Sequence, residues 1–265
     1  AAAAGVDPVV WAAMICAGAS VSMGGAARLV EGPHDGVPVW RFSVISGFLS
    51  YVVPHFLTFT AIPKIGSGLA AIMFAMSPVT TALLSLIFKV RPPSLLGLAG
   101  IGVGLGGALV IIFGRGGGFG GNGPWLALSV LIPVFLGLGN VYRTVAWPKG
   151  AGPLRLASLT NLAAVAPLLL IAWLMSGRID AEPFTHVPGI IVCQFIVTAI
   201  MFLMFFRLQQ LGGPTYLSQI GYVAAVIGVG VGVTWLGETY PLSVWIGAAI
   251  VAVGIALTTL AQLRQ

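Results

Sequence analysis

The sequence predicts an all-α, polytopic membrane protein made of two oppositely inserted halves. Three observations predict it: a composition too apolar for water, a series of helix-length apolar segments, and a faint internal repeat at an offset of 147 residues. Hydrophobic residues make up 58% of the 265 and charged residues 7%, against roughly 45–50% and 25% in soluble domains. Mean hydropathy is +1.05. The 37 glycines suit helices that approach closely in lipid, where packing of small residues takes over from the hydrophobic effect.

A bilayer-crossing helix needs roughly 20 apolar residues, and nine segments qualify. Segment 8–29 ends at the turn EGPHDG, and 38–61 carries SYVVPHFLTF. Segment 66–88 contains SPVTT and stops at RPPS, and 94–114 is the run GLAGIGVGLGG, closed by GGGFGGNG. Segment 124–146 leads to PKGAGP, followed by 153–176, 187–209, 214–236 up to GETYP, and 242–262. Glycine and proline stop one helix in these links, and proline often opens the next.

The basic residues orient the chain. With the C-terminus inside, the inner face holds Arg28, Arg41, Lys89, Arg91, Arg143, Lys149, Arg155, Arg207 and Arg264, and the outer face Lys64, Arg115 and Arg178. That bias matches the positive-inside rule. It starts the chain outside, although AAAAGVDP reads as the end of a preceding helix and its loop. The 147-residue offset lays Gly66 on Gly213, Gly100 on Gly247 and Gly107 on Gly254. The expectation is an inverted repeat of five plus five helices with the first absent: residues 1–115, a Gly-rich linker 116–123, and 124–265.

The same residues exclude several functions. Cys16 and Cys193 lie singly in apolar segments, so neither a metal site nor a disulfide framework is expected. The net charge of +6 sorts by membrane side and forms no nucleic-acid patch. Asp7, Glu31, Asp35, Asp180, Glu182 and Glu238 all fall in links or at helix ends, and no GxSxG or HExxH motif occurs, which disfavours an enzyme. Gly102, Gly104 and Gly107 spell GxGxxG without the strand and acidic residue a dinucleotide site needs. They read instead as helix packing, with small faces at Gly100/Gly104, Gly102/Gly106 and Gly228/Gly232. No cofactor is implied.

Uncharged polar residues inside the spans are the candidate substrate contacts. Tyr51 and His55 share one helix face, and Pro54 between them lacks the N–H for the Ser50 carbonyl, so a kink is expected there and another at Pro78. Asn161, Thr198 and Tyr222 lie at mid-depth, Gln194 towards the outside, and Gln219 and Asn140 towards the inside. Intramembrane polar groups face a bundle interior or a wet path. A neutral pathway of this kind suits a zwitterion, and His55 is the only titratable imidazole or carboxylate within a span, which makes it the candidate for proton coupling. A lone Asn, Gln or Thr is more often an interhelical hydrogen bond than a substrate contact.

The segments SPVTTALLSLIFKVRPPSLLGLAGIGVGLGG and GYVAAVIGVGVGVTWLGETYPLSVWIGAAIVAVGIAL resemble the paired ends of the two EamA repeats of the drug/metabolite transporter superfamily. Pro78 matches the first-repeat proline, and Gly237 with Glu238 the second-repeat Gly-Glu; Ala225 and Arg91 depart from the pattern. The resemblance implies ten helices around a central cavity, alternating access, and export of amino acids, aromatic ones among them, or related metabolites across the bacterial inner membrane. Its partners would be a small-molecule substrate and the lipid bilayer. A channel or facilitator, or an exporter of cationic drugs or nucleotide sugars, is the alternative.

Overall fold

The computed structural model describes residues 7–32, 39–58, 60–61, 73–74, 76–90, 93–114, 123–179, 182–186, 188–223, 227, 233–234 and 241–263. Their regular structure is helical: α1 (Pro8–Val30), α2 (Val39–Gly47) running into a π turn (Phe48–Val52), α3 (Ser77–Ile87), α4 (Leu95–Gly114), α5 (Gly123–Ser129), α6 (Leu131–Val145), α7 (Pro153–Ser176), the single turn α8 (Glu182–Thr185), α9 (Pro188–Ser218) and α10 (Leu242–Leu263). Among the described residues, five helices are long and apolar enough to cross a membrane: Pro8–Val30, Ala127–Val145, Pro153–Ser176, Pro188–Ser218 and Leu242–Ala261. Of the nine expected spans, 66–88 and 214–236 lie partly outside the described residues.

Local chemistry sets the helix ends. Asp7 caps α1, its Oδ1 accepting from the Val9 and Val10 N–H groups, and Pro8 fills the first turn, where no N–H is needed. Helix α7 begins at Pro153 and ends on Gly177, whose positive φ of 71° closes the last turn. The break expected between segments 187–209 and 214–236 is present: the helical run of α9 is two helices that meet at a kink on Gly213 (φ 72°, ψ −173°). That conformation is open to glycine alone, and Pro214 then restarts the helix. Pro78 does not sit inside a kinked helix but in the first turn of α3, after Met76.

Large apolar side chains stay exposed, among them Val192, Ile196, Val197, Ile200 and Met204 on α9. An apolar surface of that extent requires lipid.

The chain forms two compact units, one of Ala1–Phe59 with Val145–Leu211, the other of Thr60–Thr144 with Gly212–Gln265. In the first, α1 packs along α7, and α2 and the π turn also rest on α7. In the second, α4 packs along α10, the most extensive helix contact of the described residues. Both principal pairs join helices about 147 residues apart, since α4 starts at Leu95 and α10 at Leu242.

The α4–α10 contact is antiparallel and made by glycine. A Cβ on Gly100 would lie 2.8 Å from the Gly254 carbonyl oxygen and 2.6 Å from Thr258 Cγ2; one on Gly107 would lie 2.7 Å from the Gly247 carbonyl oxygen. Rising numbers on α4 thus meet falling numbers on α10. A Cβ on Gly254 would lie 2.8 Å from the Gly100 carbonyl oxygen. The 147-residue offset turns Gly107 into Gly254 and Gly247 into Gly100, so one contact is the two-fold copy of the other. Each glycine Cα–H faces a carbonyl, a weak hydrogen bond of about 0.5–1 kcal/mol.

The Gly100/Gly104 face expected from the sequence is this packed face. The Gly102/Gly106 face is not packed, because a Cβ on either would meet nothing within 4 Å. Gly228 and Gly232 lie outside the described residues. Replacing Gly107 or Gly254 by alanine is expected to destabilise the detergent-solubilised protein by about 1–3 kcal/mol, because backbone atoms block the new methyl. Gly102→Ala and Gly106→Ala should leave thermal stability equal or higher, by up to about 1 kcal/mol. Equal losses at all four positions would refute the assigned contact face.

Candidate functional site

The stretch around Pro54 shows how a helix absorbs a proline. Its ring would press on the Ser50 carbonyl in a regular helix. The strain is taken up just before it, where Phe48–Val52 widens into a π turn and the Val53 N–H reaches the Phe48 carbonyl. His55 Nδ1 lies 2.7 Å from the Tyr51 carbonyl oxygen. A carbonyl only accepts, so Nδ1 carries the proton and Nε2 is the accepting nitrogen of the neutral ring. Pro54 removes a donor from this stretch and His55 supplies one. Tyr51 is buried, its ring edge-on to Phe202 with centroids 5.3 Å apart.

The first unit also holds Asn161, Gln194 and Thr198. Asn161 is fully buried on α7 and donates its amide to the Ala157 carbonyl at 2.9 Å. Its Oδ1 has no partner among the described residues. On α9 the Gln194 amide donates to Thr198 Oγ1 at 2.7 Å, so the two residues expected to share a face are bonded to each other. An open groove of about 230 Å³ lies along α1 and α7, lined by Val10, Met14, Val165, Leu169, Ile179 and Phe184, with scarcely any polar surface. None of the candidate residues lines it.

Gln219 and Tyr222 belong to the second unit, where their polar atoms join helices. Thr258 Oγ1 donates to Gln219 Oε1 at 2.5 Å, and the Tyr222 hydroxyl donates to the Ile101 carbonyl at 3.2 Å. The Tyr222 ring fills the space beside Gly104, where a Cβ would come within 2.6 Å of it. Tyr222 is fully buried.

Two charged residues near helix ends are built into the fold. Arg143 is 1% exposed and donates to Asn140 Oδ1 at 2.6 Å, while the Asn140 amide donates to Thr81 Oγ1 at 3.2 Å. This chain ties α6 to α3, beside a Thr80 hydroxyl that donates to the Pro133 carbonyl at 2.8 Å. Glu31 accepts from the Leu154 and Arg155 N–H groups at 2.8 and 3.0 Å and caps α7, whose N-cap Gly152 has no side chain to do so. The i, i+3 spacing of Asn140 and Arg143 is a sequence signal for the first; nothing local announces the second, because its partners lie 123 and 124 residues away.

Apolar helices of membrane-crossing length, with uncharged polar side chains buried between them, define a multi-pass membrane protein. The chain belongs to the EamA-like transporter family, whose model matches residues 1–113 and 123–260. It is therefore a membrane transporter of the drug/metabolite superfamily, a family of transporters and typically not of enzymes. It is 26% identical over 217 residues to the "uncharacterized inner membrane transporter YedA" of Escherichia coli K12, covering 79% of this chain and 67% of that protein. The same match holds for YedA of the O6:H1 and O157:H7 strains. A crystal structure with 22% sequence identity superposes with a TM-score of 0.78, covering 96% of this chain and 89% of the other, which shows the shared fold.

Tyr222→Phe is expected to lower stability by about 1 kcal/mol through loss of the Ile101 bond, with the KM of transport unchanged. Chemical denaturation and transport kinetics on one preparation check both halves; an unchanged stability with a raised KM would make Tyr222 a substrate contact instead.

Proposed function

We propose that this transporter is a secondary carrier that exports neutral amino acids, aromatic ones included, and related metabolites across the bacterial inner membrane by alternating access. The observation that carries the reading is the antiparallel pairing of α4 with α10 through contacts that repeat at the 147-residue offset. Such pairing is the mark of inverted repeats, which let a carrier exchange one open side for the other. The proposal includes two oppositely inserted repeats, residues 1–115 and 124–265, with the C-terminus inside.

The solute class follows from the candidates Tyr51, His55, Asn161, Gln194 and Thr198, which carry no fixed charge. Such groups suit a zwitterion with an apolar side chain better than a phosphorylated or multiply charged solute. YedA of Escherichia coli is described as an inner membrane transporter, which supports the same location here. Export runs either down the solute gradient or with a modest proton linkage through His55.

Purified protein in proteoliposomes is expected to show saturable, trans-stimulated exchange of labelled neutral amino acids. Flux that rises linearly with concentration would indicate a channel, and exchange of none would overturn the amino-acid reading. If His55 couples protons, His55→Gln vesicles should lose the pH dependence of transport; full retention of it would remove that role.

A further inference from the structure

Four side-chain oxygens at the junction of α2 and α7 are buried without a hydrogen-bond partner among the described residues: Ser43 Oγ, Ser46 Oγ, Thr160 Oγ1 and Asn161 Oδ1. Their residues are between 0% and 2% exposed. Gly47 fixes the junction. A Cβ there would lie 2.8 Å from the Thr160 carbonyl oxygen and 3.6 Å from both Ala163 Cβ and the Ala164 nitrogen. The α2 face that carries Ser43 and Ser46 therefore abuts the turn of α7 that carries Thr160 and Asn161. Buried oxygens without partners call for a donor from outside the chain.

The polarity of that donor is already determined. Asn161 spends its amide on the Ala157 carbonyl, which leaves its oxygen as the end without a partner. Serine and threonine hydroxyls accept or donate, so the Asn161 oxygen, which can only accept, decides that the set takes a donor. Two carboxylates of this unit are committed elsewhere, Asp7 capping α1 and Glu31 capping α7. We infer that this junction is a neutral oxygen cradle for a primary ammonium group, the amine end of the exported solute. The inference rests on the export reading and specifies which end of the solute is recognised. An ammonium brings three N–H donors, and a cradle without a carboxylate holds it loosely enough to let go.

The test is counterflow of labelled neutral amino acids in proteoliposomes, with phenylalanine, phenethylamine and 3-phenylpropionate as unlabelled competitors, on wild type, Asn161→Leu and Ser46→Ala. Phenylalanine and phenethylamine should compete and 3-phenylpropionate should not. Asn161→Leu should raise KM roughly ten- to a hundred-fold, the weight of a hydrogen bond to a charged group. Ser46→Ala should raise KM by roughly threefold or more, while the substrate-free protein melts no lower than wild type because only an unpartnered hydroxyl is lost. That separation guards against loss of fold in Asn161→Leu. Equal competition by 3-phenylpropionate, or unchanged KM in both variants as buried waters alone would give, overturns the cradle. So does exchange that needs sodium and ignores the amine. Each of these leaves export standing, whereas wild-type vesicles that exchange neither amino acids nor amines would end both readings.

Discussion

Between lipid-embedded helices the hydrophobic effect gives no net attraction, since acyl chains are as apolar as leucine. Association has to come from close packing, and the α4–α10 crossing is where the described residues pack most closely. Gly100, Gly107 and Gly254 bring two backbones to distances that no side chain tolerates, with the Gly247 carbonyl facing Gly107. Because the four are two pairs at one offset, the same constraint holds the helices together and sets their opposite directions. Tyr222 and Thr258 pack beside this seam, and their hydrogen bonds to Ile101 and Gln219 extend it to the helix that follows Gly213.

A second constraint is that a polar atom in a membrane interior has no water to fall back on. Most of the buried polar atoms in the fold are answered by neighbours. Ser158 donates to the Ser20 carbonyl at 2.8 Å across α1 and α7, Asn140 and Arg143 tie α6 to α3, and Glu31 satisfies the open end of α7. Against that background the oxygens of Ser43, Ser46, Thr160 and Asn161 stand out, because they gather where α2 meets α7. The π turn beside Pro54 lies on the same helix and also touches α7, so a locally distorted backbone borders the group.

The sequence made the helices legible because length and apolarity are all that spanning requires. It also exposed the glycines of the α4–α10 seam, since Gly100 and Gly107 recur as Gly247 and Gly254. A spacing of four could not say which face is packed, so Gly102 and Gly106 looked as good as Gly100 and Gly104. The break between segments 187–209 and 214–236 was legible as well: Gly213 takes a glycine-only conformation and Pro214 restarts the helix. Arg143 read as an inner-face cation near the end of segment 124–146, and only tertiary packing buries it. At the candidate site, residue types were readable but hydrogen-bond partners were not. His55 faces a carbonyl of its own helix, Gln194 and Thr198 bond each other, and the open atom of Asn161 depends on which end of its amide is used.

The antiparallel seam is tested most directly by a cross-link. A Cβ on Gly97 would lie 3.7 Å from Ala261 Cβ, within the roughly 3.5–4.5 Å that a disulfide spans. In a background lacking Cys16 and Cys193, the Gly97→Cys/Ala261→Cys protein should oxidise to a disulfide in membranes. A Gly97→Cys/Val244→Cys protein, with the second cysteine at the other end of α10, should stay reduced. The reverse pattern would mean that the two helices run parallel, and the inverted relation between the halves would be wrong.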